Sequence, residues 1–160
     1  MLGDKVLLQI FGLGAISGLR TMSGPALLAR SLEQHPPEQW PHEAIRQVAT
    51  APAPTLLAMM AAGELVADKL PFISARIAPV ALAGRATSGA LTGVVLSLLH
   101  KRSPLLGALV GSGAAVAGAF AGYHARRWLT VEKGLPDFPV ALLEDGLVLA
   151  LGTRLAGLRK

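Results

Sequence analysis

Long apolar stretches separated by short polar ones make up almost the whole chain. A membrane-spanning helix needs about 20 mostly apolar residues, and several stretches approach or exceed that length. They predict spans over residues 6–29, 49–67, 77–99, 103–125 and 138–153. The last of these is short for a span. The pattern therefore predicts a single domain over residues 1–160, an all-α polytopic transmembrane helix bundle of about four or five spans.

The first predicted span contains helix-breaking signals. Pro25 has no backbone N–H and cannot donate to the carbonyl of Thr21. The residues 23–25 therefore predict a kinked or broken helix, which is tolerated at membrane depth where protein buries it or where it lines a cavity. An alternative is a signal peptide over residues 1–19. It is disfavoured because the apolar pattern continues beyond it and no A-x-A site is present.

The polar residues 30–48 predict a surface loop, with room for a short interfacial helix around Trp40. Basic residues outside the spans give no orientation, because five spans divide them almost evenly between the two sides. One side collects Lys5, Lys69, Arg76, Arg126, Arg127 and Lys133, and the other collects Arg30, Arg46, Lys101, Arg102, Arg154, Arg159 and Lys160.

Composition supports a membrane protein and excludes other classes. The chain is 52% hydrophobic and 16% charged, with a mean hydropathy of +0.51, whereas a soluble domain carries about 25% charged residues. The absence of Cys excludes disulfides and thiolate metal sites. The net charge of +5 comes from short clusters between apolar stretches. Such clusters are typical of membrane-surface flanks, so no nucleic-acid partner is expected.

Two segments share the pattern R-x-x-S-G, residues 20–24 and residues 85–89, and both lie in predicted spans. Each half of the chain also carries an acidic pair, Glu64 with Asp68 and Glu144 with Asp145. Repeats with interrupted helices are a recurrent plan in secondary transporters. The recurrence of these two patterns therefore suggests an internal structural repeat. The alternative is that helices rich in small residues resemble one another by chance.

Ionisable residues inside the apolar spans are the candidate functional groups. A charge at the bilayer centre costs roughly 2.5–3.5 kcal/mol on insertion scales, so each needs a partner, water or the interface. An Arg with a hydroxyl one turn away can hold a carboxylate or phosphate, and two neighbouring carboxylates can bind a cation or share a proton. The alternatives are internal salt bridges and interfacial capping. The candidate substrate- or ion-binding residues are Arg20, Ser23, Glu64, Asp68, Arg85, Ser88, Glu144 and Asp145.

Glycines at four-residue spacing predict close helix packing. They are Gly89, Gly93, Gly107, Gly111, Gly118 and Gly122. The four His residues show no ligand spacing, and no nucleotide-binding, hydrolase or metalloprotease motif occurs. We therefore expect no metal, no cofactor and no enzymatic activity.

Several of these segments together resemble a bacterial family of integral membrane proteins, catalogued as domain of unknown function four-one-two-six. They are residues 18–20, 23–26, 63–71, 85, 88–91, 117–123, 136–137, 140–142 and 144–145. The most specific element is E-L-V-A-D-K-L-P at residues 64–71. The resemblance covers nearly the whole chain. It implies an integral membrane protein and supplies no activity, substrate or cofactor. It also implies that the family pattern includes Arg20, Glu64, Asp68, Lys69, Arg85, Asp137, Glu144 and Asp145.

Broken-helix signals beside intramembrane Arg and carboxylate groups suggest a small transporter or permeation protein for an ion or small anionic solute. We expect it to act as a homo-oligomer in the bacterial inner membrane. The alternative is a non-transporting scaffold or accessory protein whose charges hold the bundle together. A membrane-embedded enzyme is disfavoured by the absence of a nucleophile or metal constellation. Transport predicts a polar-lined cavity reaching the buried charges, whereas a scaffold predicts that each buried charge is directly paired.

Overall fold

Helices account for all the regular structure of the described residues. The computed structural model describes residues 2–34, 40, 42–67 and 77–157, and no strand occurs among them. The helices are α1 (Leu2–Leu19), α2 (Ser23–Glu33), α3 (Glu43–Ala49), α4 (Ala53–Ala67), α5 (Pro79–Leu99), α6 (Pro104–Arg127) and α7 (Asp137–Leu155). A π-helical turn, Trp128–Glu132, continues α6. The prediction of an all-α fold is confirmed.

Two helices are long and apolar enough to cross a membrane by themselves: α5, and α6 together with its π-helical turn. The helices α3 and α4 form a third candidate span, bent by 58° between them. The apolar part of α1, Lys5–Leu19, is shorter than a span. The 19 residues of α7 include Asp137, Glu144, Asp145 and Arg154, and so many charges make it a poor span by composition. The described chain therefore has two or three candidate membrane spans.

The helices α1, α5 and α6 meet through small residues. A Cβ on Gly93 would lie 2.0 Å from the carbonyl oxygen of Gly107, and one on Gly18 would lie 2.0 Å from that of Ala115. Neither distance is sterically possible, so the helix backbones are in direct contact, as small residues permit in lipid. Larger apolar side chains join α1 to α2, α3 and α7, and their fully buried members include Ile10, Leu13, Ile45 and Val148.

The first two helices form a hairpin instead of one kinked span over residues 6–29. Gln9 of α1 donates a hydrogen bond to the carbonyl of Leu155 at 3.1 Å, and Ser31 of α2 donates to the carbonyl of Ala156. Gln9 and Ser31 lie at equal sequence distances on either side of Arg20. Because they reach adjacent carbonyls, α2 must run back along α1. The predicted break is present, but the chain reverses there.

Pro25 explains where the chain reverses. It is the third residue of α2, and the N–H groups of a first helical turn have no intrahelical acceptor, so Pro is tolerated there. The break at residues 20–22 thus lies just ahead of the predicted position at residues 23–25. Gly24 permits the tight return, because a Cβ there would lie 2.0 Å from the hydroxyl oxygen of Ser17.

Parts of two helices occupy the segment predicted to be a surface loop. The helix α2 continues to Glu33, and the short helix of this region begins at Glu43, beyond Trp40. Ile45 and Ala49 of that helix are buried in the core, which ties the segment to the bundle. Residues 35–39 and 41 lie outside the described part of the chain. The remaining predicted spans correspond to α4, α5, α6 and α7 with shifts of a few residues at their ends.

Candidate functional site at the hairpin tip

The reversal at residues 20–22, which we call the hairpin tip, interrupts backbone hydrogen bonding. The last carbonyls of α1 and the first N–H groups of α2 have no partner within their own helices. In lipid each unsatisfied group costs several kcal/mol. Side chains from α4 and α5 reach the tip and provide the missing partners.

Glu64 of α4 caps the start of α2. The backbone N–H of Thr21 donates to one of its carboxylate oxygens at 2.6 Å, and the N–H of Met22 donates to the other at 2.8 Å. A helix N-terminus carries a partial positive charge, so a carboxylate is electrostatically favoured there. Both oxygens of Glu64 are thus occupied by backbone donors of another helix.

Arg85 and Ser88 of α5 satisfy the carbonyls on the other side of the break. Arg85 Nη1 donates to the carbonyl of Gly18 at 2.7 Å, in the last turn of α1, where a cation complements the helix dipole. The hydroxyl of Ser88 donates to the carbonyl of Thr21. Thr21 lies ahead of Met22, the N-cap of α2, so the reversal of the chain already removes this carbonyl from the helix. A residue of a different helix supplies the replacement donor.

Arg20, at the tip itself, forms an ion pair with Asp145 of α7. Its Nη2 donates to Asp145 Oδ1, and the side chains are only 1% and 12% exposed. Breaking a buried ion pair by removing one partner is strongly destabilising. Among the described residues, Arg20 and Arg85 at the tip balance the formal charges of Glu64 and Asp145.

The remaining candidate residues occupy different places. Ser23 is the buried first residue of α2, and its backbone N–H donates to the carbonyl of Arg20 at 3.1 Å. Glu144 is half-buried and lines an apolar groove between α6 and α7. Asp68 lies outside the described residues. Five of the eight candidate side chains therefore converge on the hairpin tip: Arg20, Glu64, Arg85, Ser88 and Asp145.

Five of the six candidate packing glycines lie where helices meet. A Cβ on Gly89 would lie 2.4 Å from the carbonyl oxygen of Gly111, and one on Gly118 would lie 2.4 Å from that of Ala15. Gly93 and Gly107 form the contact described above. Gly122 instead lines the groove beside α7.

The two R-x-x-S-G segments differ in local structure. Residues 20–24 contain the break, whereas residues 85–89 lie inside the continuous helix α5. The second segment contacts the first, because Arg85 and Ser88 bond to carbonyls at the tip. The similarity in sequence thus does not extend to backbone conformation.

Sequence reasoning missed two features of the charged groups. It paired Glu64 with a cation, an arginine or a cap of its own helix, but not with backbone amides of α2. It also assigned no pair to Arg126, which forms a two-pronged ion pair with Asp137 at 2.8 and 2.5 Å. The break predicted near Pro25 could have indicated the capping by Glu64, since a helix break exposes N–H groups as well as carbonyls. Nothing in the spacing of Arg126 and Asp137 indicated the second.

The arrangement at the tip replaces water around a broken backbone with protein donors and acceptors. Among the described residues no group of three or more His, Asp or Glu could hold a metal ion. No family model, curated protein or solved structure matches this chain. We therefore infer its function from its own geometry.

Proposed function

We propose that the protein is a non-transporting membrane scaffold, in which intramembrane charges hold a helical hairpin inside the lipid. The observation that carries this proposal is the capping of α2 by Glu64, whose two oxygens accept the N–H groups of Thr21 and Met22. Arg20 and Arg85 are likewise directed at protein groups, Asp145 and the carbonyl of Gly18. The scaffold hypothesis predicted such direct pairing of each buried charge.

The scaffold is a multi-pass protein of the bacterial inner membrane, in which α4 to α7 cross the bilayer and the α1–α2 hairpin enters from one side. The candidate spans support the crossing of α4, α5 and α6. For α7, which is not a candidate span by composition, the support is its exposed large apolar side chains, including Leu143, which is 71% exposed. Apolar faces on α4 and α7 supply surface for lipid and for a homo-oligomer. We assign the chain to the family named above on the resemblance of its motifs.

The hairpin also favours an orientation. Because α2 returns along α1, Lys5 and Arg30 lie at the same end of the bundle as the start of α6 and the end of α7. Among the described basic residues outside the helix interiors, six share that end: Lys5, Arg30, Arg46, Lys101, Arg102 and Arg154. Three of them lie at the other end: Arg126, Arg127 and Lys133. The positive-inside rule then places the first end in the cytoplasm. The even division expected from five spans depended on placing Lys5 opposite Arg30.

A second candidate function is the transport of an ion or small anionic solute. The discontinuous helix favours it, because secondary transporters place broken helix ends at their substrate sites. In that case the tip is a closed gate. An anionic solute would have to displace the Glu64 carboxylate from the N–H groups of Thr21 and Met22.

Purified protein in liposomes separates the two functions. We expect no flux above that of protein-free liposomes across a panel of ions and small organic anions. The Glu64→Gln variant should remain folded and should likewise show no solute flux. Transport would be established by a flux that Glu64→Gln abolishes and that Glu33→Gln, an exposed carboxylate at the other end of α2, leaves unchanged.

The double replacement Arg20→Met with Asp145→Leu tests the structural role directly. Apolar side chains in place of a buried ion pair often leave stability unchanged or improve it. We expect the double variant to insert and remain folded as well as the unaltered protein, measured by resistance to carbonate extraction and by thermal unfolding. A change in solute flux in a double variant that remains inserted and folded would contradict a purely structural role for the pair.

A further inference from the structure

The end of α6 beside α7 carries two adjoining cavities of opposite character. One is an apolar groove of about 350 Å³, lined by side chains such as Leu19, Leu129 and Leu147. The other is a polar pocket of about 370 Å³, whose lining includes Tyr123, Arg127 and Asp137. Arg126 lines both cavities. An apolar slot therefore opens directly beside a basic pocket.

The charges of the polar pocket favour an anion. Asp137 holds Arg126 in a fixed orientation through two hydrogen bonds, at 2.8 and 2.5 Å. Arg127 is exposed, and no ion pair joins it to another described residue. Two guanidinium groups against one carboxylate leave the pocket with a net positive charge. Guanidinium groups suit phosphate because their N–H donors match its oxygens.

Residues around the pocket are typical of the head-group level of a bilayer. Trp128 is 48% exposed, and the Nζ of Lys133 lies 5.0 Å from its ring centroid. Aromatic and basic residues concentrate at membrane interfaces. On the wall of the groove, Leu143 and Leu147 are 71% and 53% exposed, so the groove continues into a lipid-facing surface. The pocket thus lies at head-group level and the groove at acyl-chain level.

We propose that these two cavities together bind one anionic phospholipid, with its phosphate on Arg127 and Arg126 and an acyl chain in the groove. The proposal rests on the membrane location proposed above. Each volume lies within the roughly 300–1,000 Å³ of small-molecule sites. Glu144 also lines the groove, about 10 Å farther along α7 than Asp137, and makes an interaction of its own within the chain. The phosphate is therefore placed at the Arg127 end.

Native mass spectrometry of detergent-purified protein with added phosphatidylglycerol or phosphatidylcholine tests this site. We expect phosphatidylglycerol to be retained preferentially. Arg127→Gln removes the free cation and Ala125→Phe fills the groove from an exposed position, so each should lower the occupancy at least fivefold. The matched control is Arg102→Gln, which removes one exposed charge at the opposite end of α6 and should leave occupancy unchanged.

Several results would overturn the proposal. An equal loss in Arg102→Gln would show that net charge alone retains the lipid. Full retention in Ala125→Phe, or displacement of the lipid by inorganic phosphate, would show a phosphate site without a tail groove. Asp137→Asn removes the carboxylate of the polar pocket and should raise the occupancy, so a fall would point to a cationic ligand instead.

The failure of this site is distinguishable from failure of the scaffold proposal. Carbonate extraction shows whether the protein is inserted at all. An inserted protein without selective lipid retention overturns only the lipid site. Solute flux in liposomes overturns only the scaffold function.

Discussion

The two R-x-x-S-G segments carry the same residues and perform opposite structural roles. Residues 20–24 contain a backbone break that needs donors and acceptors, whereas residues 85–89 remain helical and supply donors to that break. The residues around the shared positions differ, and Pro25 follows the first segment whereas Ala90 follows the second. Identical residues at three positions thus do not decide whether the backbone is interrupted or continuous.

The arginines of the two segments also differ in their partners. Arg20 is paired with a carboxylate, Asp145, whereas Arg85 donates to the carbonyl of Gly18. An Arg in an apolar span can therefore be neutralised by an opposite charge or can serve a helix terminus. Motif similarity alone does not distinguish these outcomes.

Loss of the arginine in the first segment should have the largest effect. Arg20→Ala breaks the ion pair with the buried Asp145, and breaking a buried ion pair costs about 3–5 kcal/mol. The free energy of unfolding in detergent, measured by denaturant titration, provides the test. The matched control is Arg126→Ala, whose partner Asp137 is 64% exposed, and such surface pairs contribute about 0–1 kcal/mol. Equal losses in both variants would remove the distinction between the buried and the surface pair.

The second largest contrast is expected from replacing the glycines of the two segments by alanine. A Cβ on Gly89 would lie 2.4 Å from the backbone oxygen of Gly111, whereas one on Gly24 would lie 2.0 Å from the hydroxyl oxygen of Ser17, which can rotate, and 2.9 Å from the backbone oxygen of Leu13. Gly89→Ala should therefore destabilise by about 1–3 kcal/mol, and Gly24→Ala by less. Gly113→Ala, which faces open space, should be neutral or more stable by up to about 1 kcal/mol because Ala favours helix. The same unfolding measurement checks all three, and a larger loss in Gly24→Ala would contradict the assignment of α5–α6 contact as the tighter one.

The serines should show the smallest contrast. Ser88→Ala removes the donor to the carbonyl of Thr21 and should cost about 1 kcal/mol. Thr87→Ala, whose hydroxyl bonds within its own helix to Ala83, should stay within about 0.5 kcal/mol. Amide hydrogen exchange at Met22 and Ser23 offers a second readout, because loosening of the tip should raise exchange there in Ser88→Ala only. Unchanged exchange and stability in Ser88→Ala would mean that the tip does not depend on this donor.

Much of the helical layout could be predicted from the sequence, because length and apolar composition suffice to define α5 and α6. The hairpin could not. A kinked span and a hairpin share one apolar pattern, and the hairpin is recognised only from long-range contacts such as those of Gln9 and Ser31 with the far end of α7. Such contacts leave no periodic signal.

The candidate site likewise has features that the sequence predicts and features that it does not. The break close to Pro25 could be predicted, since that signal is local to the chain. The partner of Arg20 was not predictable, because Glu64, Glu144 and Asp145 were equally suitable acids by type and only packing selects among them. Glu64 accepts hydrogen bonds from backbone N–H groups. Nearly all residues carry such a group, so the sequence does not mark the partner of Glu64.

The long sequence separation within the Arg20–Asp145 pair also bears on how the protein is made. The two residues are 125 positions apart, so at about 5–20 residues per second Arg20 is synthesised about 6–25 s before Asp145. Arg85, which caps the same tip, is also synthesised well after the hairpin. During that interval the ion pair between the tip and α7 cannot form. We therefore expect the first two helices to remain at the bilayer surface and to reach their final depth only after α7 has been synthesised.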